Sequence, residues 1–122
     1  MIELLVVITV LTIGCLIFFL QKDQLDATER DYRRKIAINA MYYNLEEVYY
    51  EKNKSYPLNI DSKTLRAMDP ALFTDPSGVK LGDPGATYRY EPTNCSGEAC
   101  KSYSLRADLE READFVKTNR NK

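Results

Sequence analysis

The sequence predicts an α+β fold, one long helix packed on a small antiparallel sheet. Three observations carry it. No proline precedes Pro57, and Gly14 is the only glycine before Gly78, so a helix can run through the first half of the chain. Ile38, Met41, Leu45 and Val48 recur at three- and four-residue steps, the spacing of a buried helix face. Lys101 to Leu109 alternate strictly, with Tyr103, Leu105, Ala107 and Leu109 on one side, as a half-buried strand does.

The helix begins in an apolar segment, residues 1–20, in which 16 of 20 side chains are hydrophobic. A helix of about 20 residues spans a bilayer core of ~30 Å. The segment is therefore a membrane anchor, a signal peptide or a membrane helix destined to be shared with other subunits. It lacks the leading Lys or Arg and the small-residue cleavage site of a signal peptide. Glu3 is its one charged residue, and a carboxylate in that position is costly in lipid without a partner. Cys15, inside the run, reads as a small buried hydrophobe.

The helix continues as a stem over 21–53, polar from Gln21 to Lys35 and amphipathic beyond. A second stripe, Ile36, Tyr43 and Tyr50, runs beside the first at steps of seven. Arg30, Arg33, Arg34 and Lys35 lie among Asp23, Asp26, Glu29 and Asp31. This mixture reads as a solvated stem with i,i+4 pairs, or as pairing between subunits, and argues against direct DNA binding. Tyr56-Pro57 ends the helix, since proline disfavours α geometry in the residue before it.

Residues 54–122 then make a small head. Its loop region, 58–86, holds one short helix at about Ser62–Met68, capped by Asp61 or Ser62. A hairpin follows over about 87–109. Its strands are Thr87–Glu91, with Tyr88 and Tyr90 on one face, and Lys101–Leu109; Pro92–Lys101 connect them. Residues 113–117 are a further strand or a turn, and Thr118–Lys122 a frayed tail. The head must cover the amphipathic half of the helix, because so short a chain offers nothing else to bury it. Cys95 and Cys100 fall in the hairpin connection. Two such ligands with no histidine do not make a zinc site, so a disulfide pinning the hairpin end is expected if the head lies outside the cytoplasm.

The chain has 17 basic and 18 acidic side chains, net −1, and no histidine. Imidazole bases and imidazole metal ligands are excluded. No phosphate-binding glycine loop appears, and no metal site, cofactor or enzymatic activity is expected.

Ile2-Glu3-Leu4-Leu5-Val6-Val7-Ile8, continuing through Thr9-Val10-Leu11, resembles the start of type IV pilins and pseudopilins. The resemblance is specific over about residues 2–20. It implies the same long-helix-on-sheet architecture. It also implies a structural subunit that waits in the cytoplasmic membrane and then polymerises into a helical extracellular filament, for adhesion, twitching motility or DNA uptake. The filament-core helix would comprise Ile2, Leu4, Leu5, Val6, Val7, Ile8, Val10, Leu11, Ile13, Leu16, Ile17, Phe18 and Phe19. Glu3 would pair with the N-terminal amine of a neighbouring subunit, and that terminus would be methylated. The implied partners are further copies of the chain, a prepilin peptidase, an assembly ATPase and a platform protein. A pseudopilin of a type II secretion system is an alternative within the family, and a non-polymerising single-pass binding domain is one outside it.

Two departures bear on detail. Glu3 stands third where the family's glutamate is fifth, which implies two mature residues and a leader upstream of Met1. Leu20 stands where many pilins have a helix-breaking proline, which leaves Gly14 as the point where the helix would melt in a filament. Some pseudopilins hold calcium in an acidic loop; here Asp69, Asp75 and Asp83 lack EF-hand spacing and read first as turn caps.

Overall fold

In a computed structural model, which describes residues 1–120, the long helix is present with one irregularity. Helix α1 spans Ile2–Tyr43, passes into a π-helical segment, Asn44–Tyr49, and ends in a last α turn, α2, Tyr50–Asn53. At 1.5 Å per residue the whole is roughly 75 Å long. Lys54 closes it in the left-handed conformation, φ 55°, and donates its N–H to the Tyr50 carbonyl at 2.7 Å. Glycine more often takes this place.

Tyr56-Pro57 does more than end the helix. It forms a short strand, β1, against Ala99 and Cys100. An edge position suits Pro57, which has no N–H for the ladder. The expected helix at Ser62–Met68 is instead a set of turns. The Asp61 carboxylate does cap, accepting the Lys63 and Thr64 N–H groups at 2.9 Å, and the Leu65 N–H reaches back to the Asp61 carbonyl at 3.0 Å. Seven residues ahead of a proline are too few to propagate beyond that nucleus. The short helix lies further on: a 3-10 turn, Pro70–Phe73, capped by Asp69 with Pro70 in its first turn.

The hairpin is longer than its alternation suggests. Strands β2, Tyr88–Ser96, and β3, Ala99–Ala107, pair in one register from Tyr88↔Ala107 to Ser96↔Ala99, interrupted at Asn94, which takes a left-handed φ of 55°, and turn through Gly97-Glu98. Pro92–Lys101, expected as a connection, is thus mostly strand. From Thr93 to Ala99 both faces are in water, so this part carries no apolar alternation to read. Leu109 falls beyond β3. Strand β4, Phe115–Thr118, pairs with β3 over Ser104–Ala107. Strand β3 is therefore central, with β2 along one edge and β1 and β4 sharing the other. The chain end is not frayed at Thr118. The Asn119 side-chain oxygen accepts the Tyr103 N–H, and the Arg120 N–H donates to Glu46 at 2.9 Å. Asn121 and Lys122 lie outside the described residues.

The sheet covers the second half of the helix. Ala37, Ile38, Met41 and Leu45 bury against Tyr56, Phe73, Tyr103, Leu105 and Ala107, with Ile60, Leu65 and Met68 closing one side. Val48, expected in this stripe, is exposed, while Tyr49 is half-buried. The π segment holds extra residues per turn, so the inward face passes from position 48 to 49. In the second stripe Ile36 and Tyr43 stay exposed; only Tyr50 packs, its ring 4.9 Å from that of Tyr56.

Candidate functional site

The two halves of the helix meet opposite environments. Leu45 is 0% exposed and Leu11 63%. Every residue from Met1 to Leu20 is exposed, around the full circumference of the helix. The predicted core residues, Ile2, Leu4, Leu5, Val6, Val7, Ile8, Val10, Leu11, Ile13, Leu16, Ile17, Phe18 and Phe19, form this surface, and none touches the head. It is long and apolar enough to cross a membrane. Thr9 and Thr12 do not spoil it. Their hydroxyls donate to the Leu5 and Ile8 carbonyls at 2.8 Å, which removes both donors from any apolar surroundings. Cys15 is exposed with its neighbours, because none of the described residues folds back on the segment. The helix runs straight through Gly14, where an added Cβ would meet nothing within 4 Å.

Glu3 lies in the first turn, where the helix dipole favours a negative charge. Among the described residues no cation or donor faces it.

Two buried polar clusters fasten the helix to the head. In the first, Arg34 is 2% exposed although it reads as part of a solvated basic run. Its guanidinium donates to Asp75 through Nε at 2.7 Å and Nη2 at 3.2 Å, to Asp31 at 2.9 Å, to Glu110 at 2.7 Å and to the Ser77 hydroxyl at 3.0 Å. Asp31 in turn accepts the Glu110 and Arg111 N–H groups, and Thr87 donates to Asp75. Arg30 also binds Glu110, and Lys35 pairs with Glu112. Only Arg33–Glu29 forms the expected i,i+4 bridge among these residues. Hydrogen bonds donated to Asp75, set against burial, raise the Arg34 pKa further above its ordinary value. Burial pushes the Asp75 carboxyl up, but Arg34, Thr87 and Ser77 outweigh it and hold it well below the carboxylate range. Arg30, then Arg34, lowers Glu110 to about 2.

In the second cluster the π segment turns Glu46 inward. Its carboxylate accepts the Tyr56 and Tyr103 hydroxyls at 2.8 Å each and the Arg120 N–H. Burial, then Glu46, raises the Tyr103 phenol. Beside it, Arg120 pairs with Glu47 and lies over the Tyr42 ring with Lys117. One carboxylate thus ties the helix to β1, β3 and the end of the chain.

Cys95 and Cys100 form a disulfide directly across the β2–β3 ladder. The loop aspartates are not brought together. Asp75 is spent on Arg34 and Asp69 on the Ala71 N–H. Among the described residues no group of three or more His, Cys, Asp or Glu is placed to hold a metal.

The Arg34 and Glu46 clusters escape sequence reasoning because their partners are distant. Asp75 is 41 residues from Arg34, and Tyr103 57 from Glu46. Asp75, Glu46 and the Arg34 guanidinium are held by internal donors and acceptors, an arrangement that fixes geometry. Comparison with family models, with curated proteins and with solved structures returns no match.

Proposed function

We propose that this chain is the structural subunit of a pilus-like helical filament. The observation that carries the reading is the exposed apolar segment headed by Glu3 and rigidly continuous with the helix that bears the head. A plain anchor needs only to face lipid. A subunit surface must serve two surroundings, lipid before assembly and other copies afterwards, and this accounts for an all-round apolar helix with one carboxylate at its tip. Buried charges lose several kcal/mol of solvation unless paired. In this reading Glu3 meets the N-terminal amine of a neighbouring copy, so that misplaced subunits are disfavoured. A repeated head-to-tail contact of this kind does not close and so builds a fibre rather than a ring.

The head would then face outward on the cell surface. Prepilin peptidase, assembly ATPase and platform protein are the partners this role requires. The disulfide across the hairpin suits an oxidising location. Electron microscopy of material sheared from cells expressing the chain tests the reading. Filaments containing it are expected, and they should be lost in Glu3→Ala while the variant still accumulates in the membrane. Retention of the wild-type chain in the envelope without filaments overturns the proposal in favour of an anchored domain.

A further inference from the structure

Arg30, Arg33, Arg34, Arg89, Arg106 and Arg120 all meet carboxylates. Among the described residues Lys80, Lys101, Arg111 and Lys117 form no ion pair, and neither do Lys52, Lys63 and Arg66, although the chain has more acidic than basic residues. These three cations line one open cleft of about 420 Å³ between the end of the long helix and the turns at 61–68. Its other walls are Val48, Tyr49, Asn53, Thr64 and Ala67, so the lining holds three positive charges and no carboxylate.

The nearby acids are engaged elsewhere. Glu51 pairs with Lys54 at 3.7 Å, Glu47 with Arg120, and the Asp61 carboxylate, which lies outside the cleft lining and attracts Lys63, accepts two backbone N–H groups. The helix dipole favours Lys52 in the last turn. It gives no reason for Lys63 and Arg66, which lie on the turns opposite. Arg66 is steadied by its Nε, which donates to the Lys63 carbonyl at 3.1 Å; among the described residues its two terminal nitrogens have no acceptor. Like charges gathered with no carboxylate in the cleft lining repel one another, and a bound anion relieves that repulsion.

We propose that this cleft binds an acidic saccharide, a short run of sugar rings carrying sulfate, phosphate or carboxylate groups. The three cations take the anionic groups, with Arg66 offering a paired donor geometry. Val48, Ala67 and the half-buried Tyr49 supply the apolar wall against which a sugar ring lies. The cleft is open, as a chain-like ligand requires. The net charge of −1 disfavours long nucleic acids, which depend on many phosphate contacts. The site belongs to the head alone and stands whether or not the chain polymerises.

Titration calorimetry of the full chain in neutral detergent, with a sulfated tetrasaccharide as probe, tests it. Binding is expected that weakens with added salt, while an uncharged glucose tetrasaccharide does not bind. The triple variant Lys52→Gln, Lys63→Gln, Arg66→Gln should weaken it by about tenfold or more, since each lost contact is charge-assisted. All three side chains are exposed, so the thermal unfolding temperature should stay unchanged. The matched triple variant Lys22→Gln, Lys80→Gln, Lys101→Gln, at exposed sites outside the cleft, should bind as the wild type does. Absence of binding to the sulfated probe, or an equal loss in the matched variant, overturns the proposal. Tighter binding of single-stranded DNA of equal charge overturns it in favour of a nucleic-acid site.

Discussion

Arg34 holds Asp31, Asp75 and Glu110 together with one buried guanidinium. Removing one member of such a set leaves uncompensated charge in the interior, at a cost of about 3–5 kcal/mol. Arg34→Ala should therefore lower the stability of the head by roughly that much in urea unfolding, whereas Arg33→Ala, at an exposed i,i+4 bridge, should cost under about 1 kcal/mol. The same cluster sets the response to acid. Glu110 titrates from about 4.5 when unpaired to about 2 in the folded chain, and Asp75 shifts in the same direction. A depressed folded pKa means that the unfolded state binds more protons, so the stabilisation is complete above the unfolded value and fades as the pH falls through the folded one. Thermal unfolding temperatures should accordingly decline between pH about 4.5 and about 2, and Glu110→Gln should flatten that decline.

At the scale of elements, the π segment is what brings Glu46 to the two tyrosines. In Glu46→Ala both phenols lose their acceptor, at about 1–3 kcal/mol for each buried group left unsatisfied. Urea unfolding should show this as a loss larger than that of Tyr103→Phe, which removes one donor only. The β2–β3 disulfide closes a short loop, so its reduction should cost about 2 kcal/mol. Far-ultraviolet dichroism should then change little, because β3 stays held by β1 and β4. These elements were unequally legible. The helix from Ile2 could be read from local facts, the missing prolines and the stripe of Ile38, Met41 and Leu45. The π segment could not, because Asn44–Tyr49 has no composition that distinguishes it from α-helix, and only its contacts with Tyr56, Tyr103 and Arg120 show why it pays to turn there. The inner hairpin was readable where one face is buried, from Tyr103 to Ala107, and unreadable from Thr93 to Glu98, where neither is.

For the whole molecule, the head and the stem make one unit and the apolar segment another surface. The head covers half of one helix and uses Arg34 and Glu46 as fasteners; the other half is left bare. That bare half, Ile2 to Phe19 with Glu3 at its tip, was fully legible because hydrophobicity and a lone carboxylate are properties of the residues themselves. What rests on it is not local, since the partner of Glu3 would belong to another copy of the chain. A helical reconstruction, by electron cryo-microscopy, of filaments containing this chain would show whether the apolar segment is the assembly surface. Residues 2–20 should lie bundled along the filament axis, each Glu3 against the N-terminal amine of a neighbour, with the heads outside. Filaments joined through the heads, with residues 2–20 away from the axis and Glu3 unpaired, would contradict this arrangement.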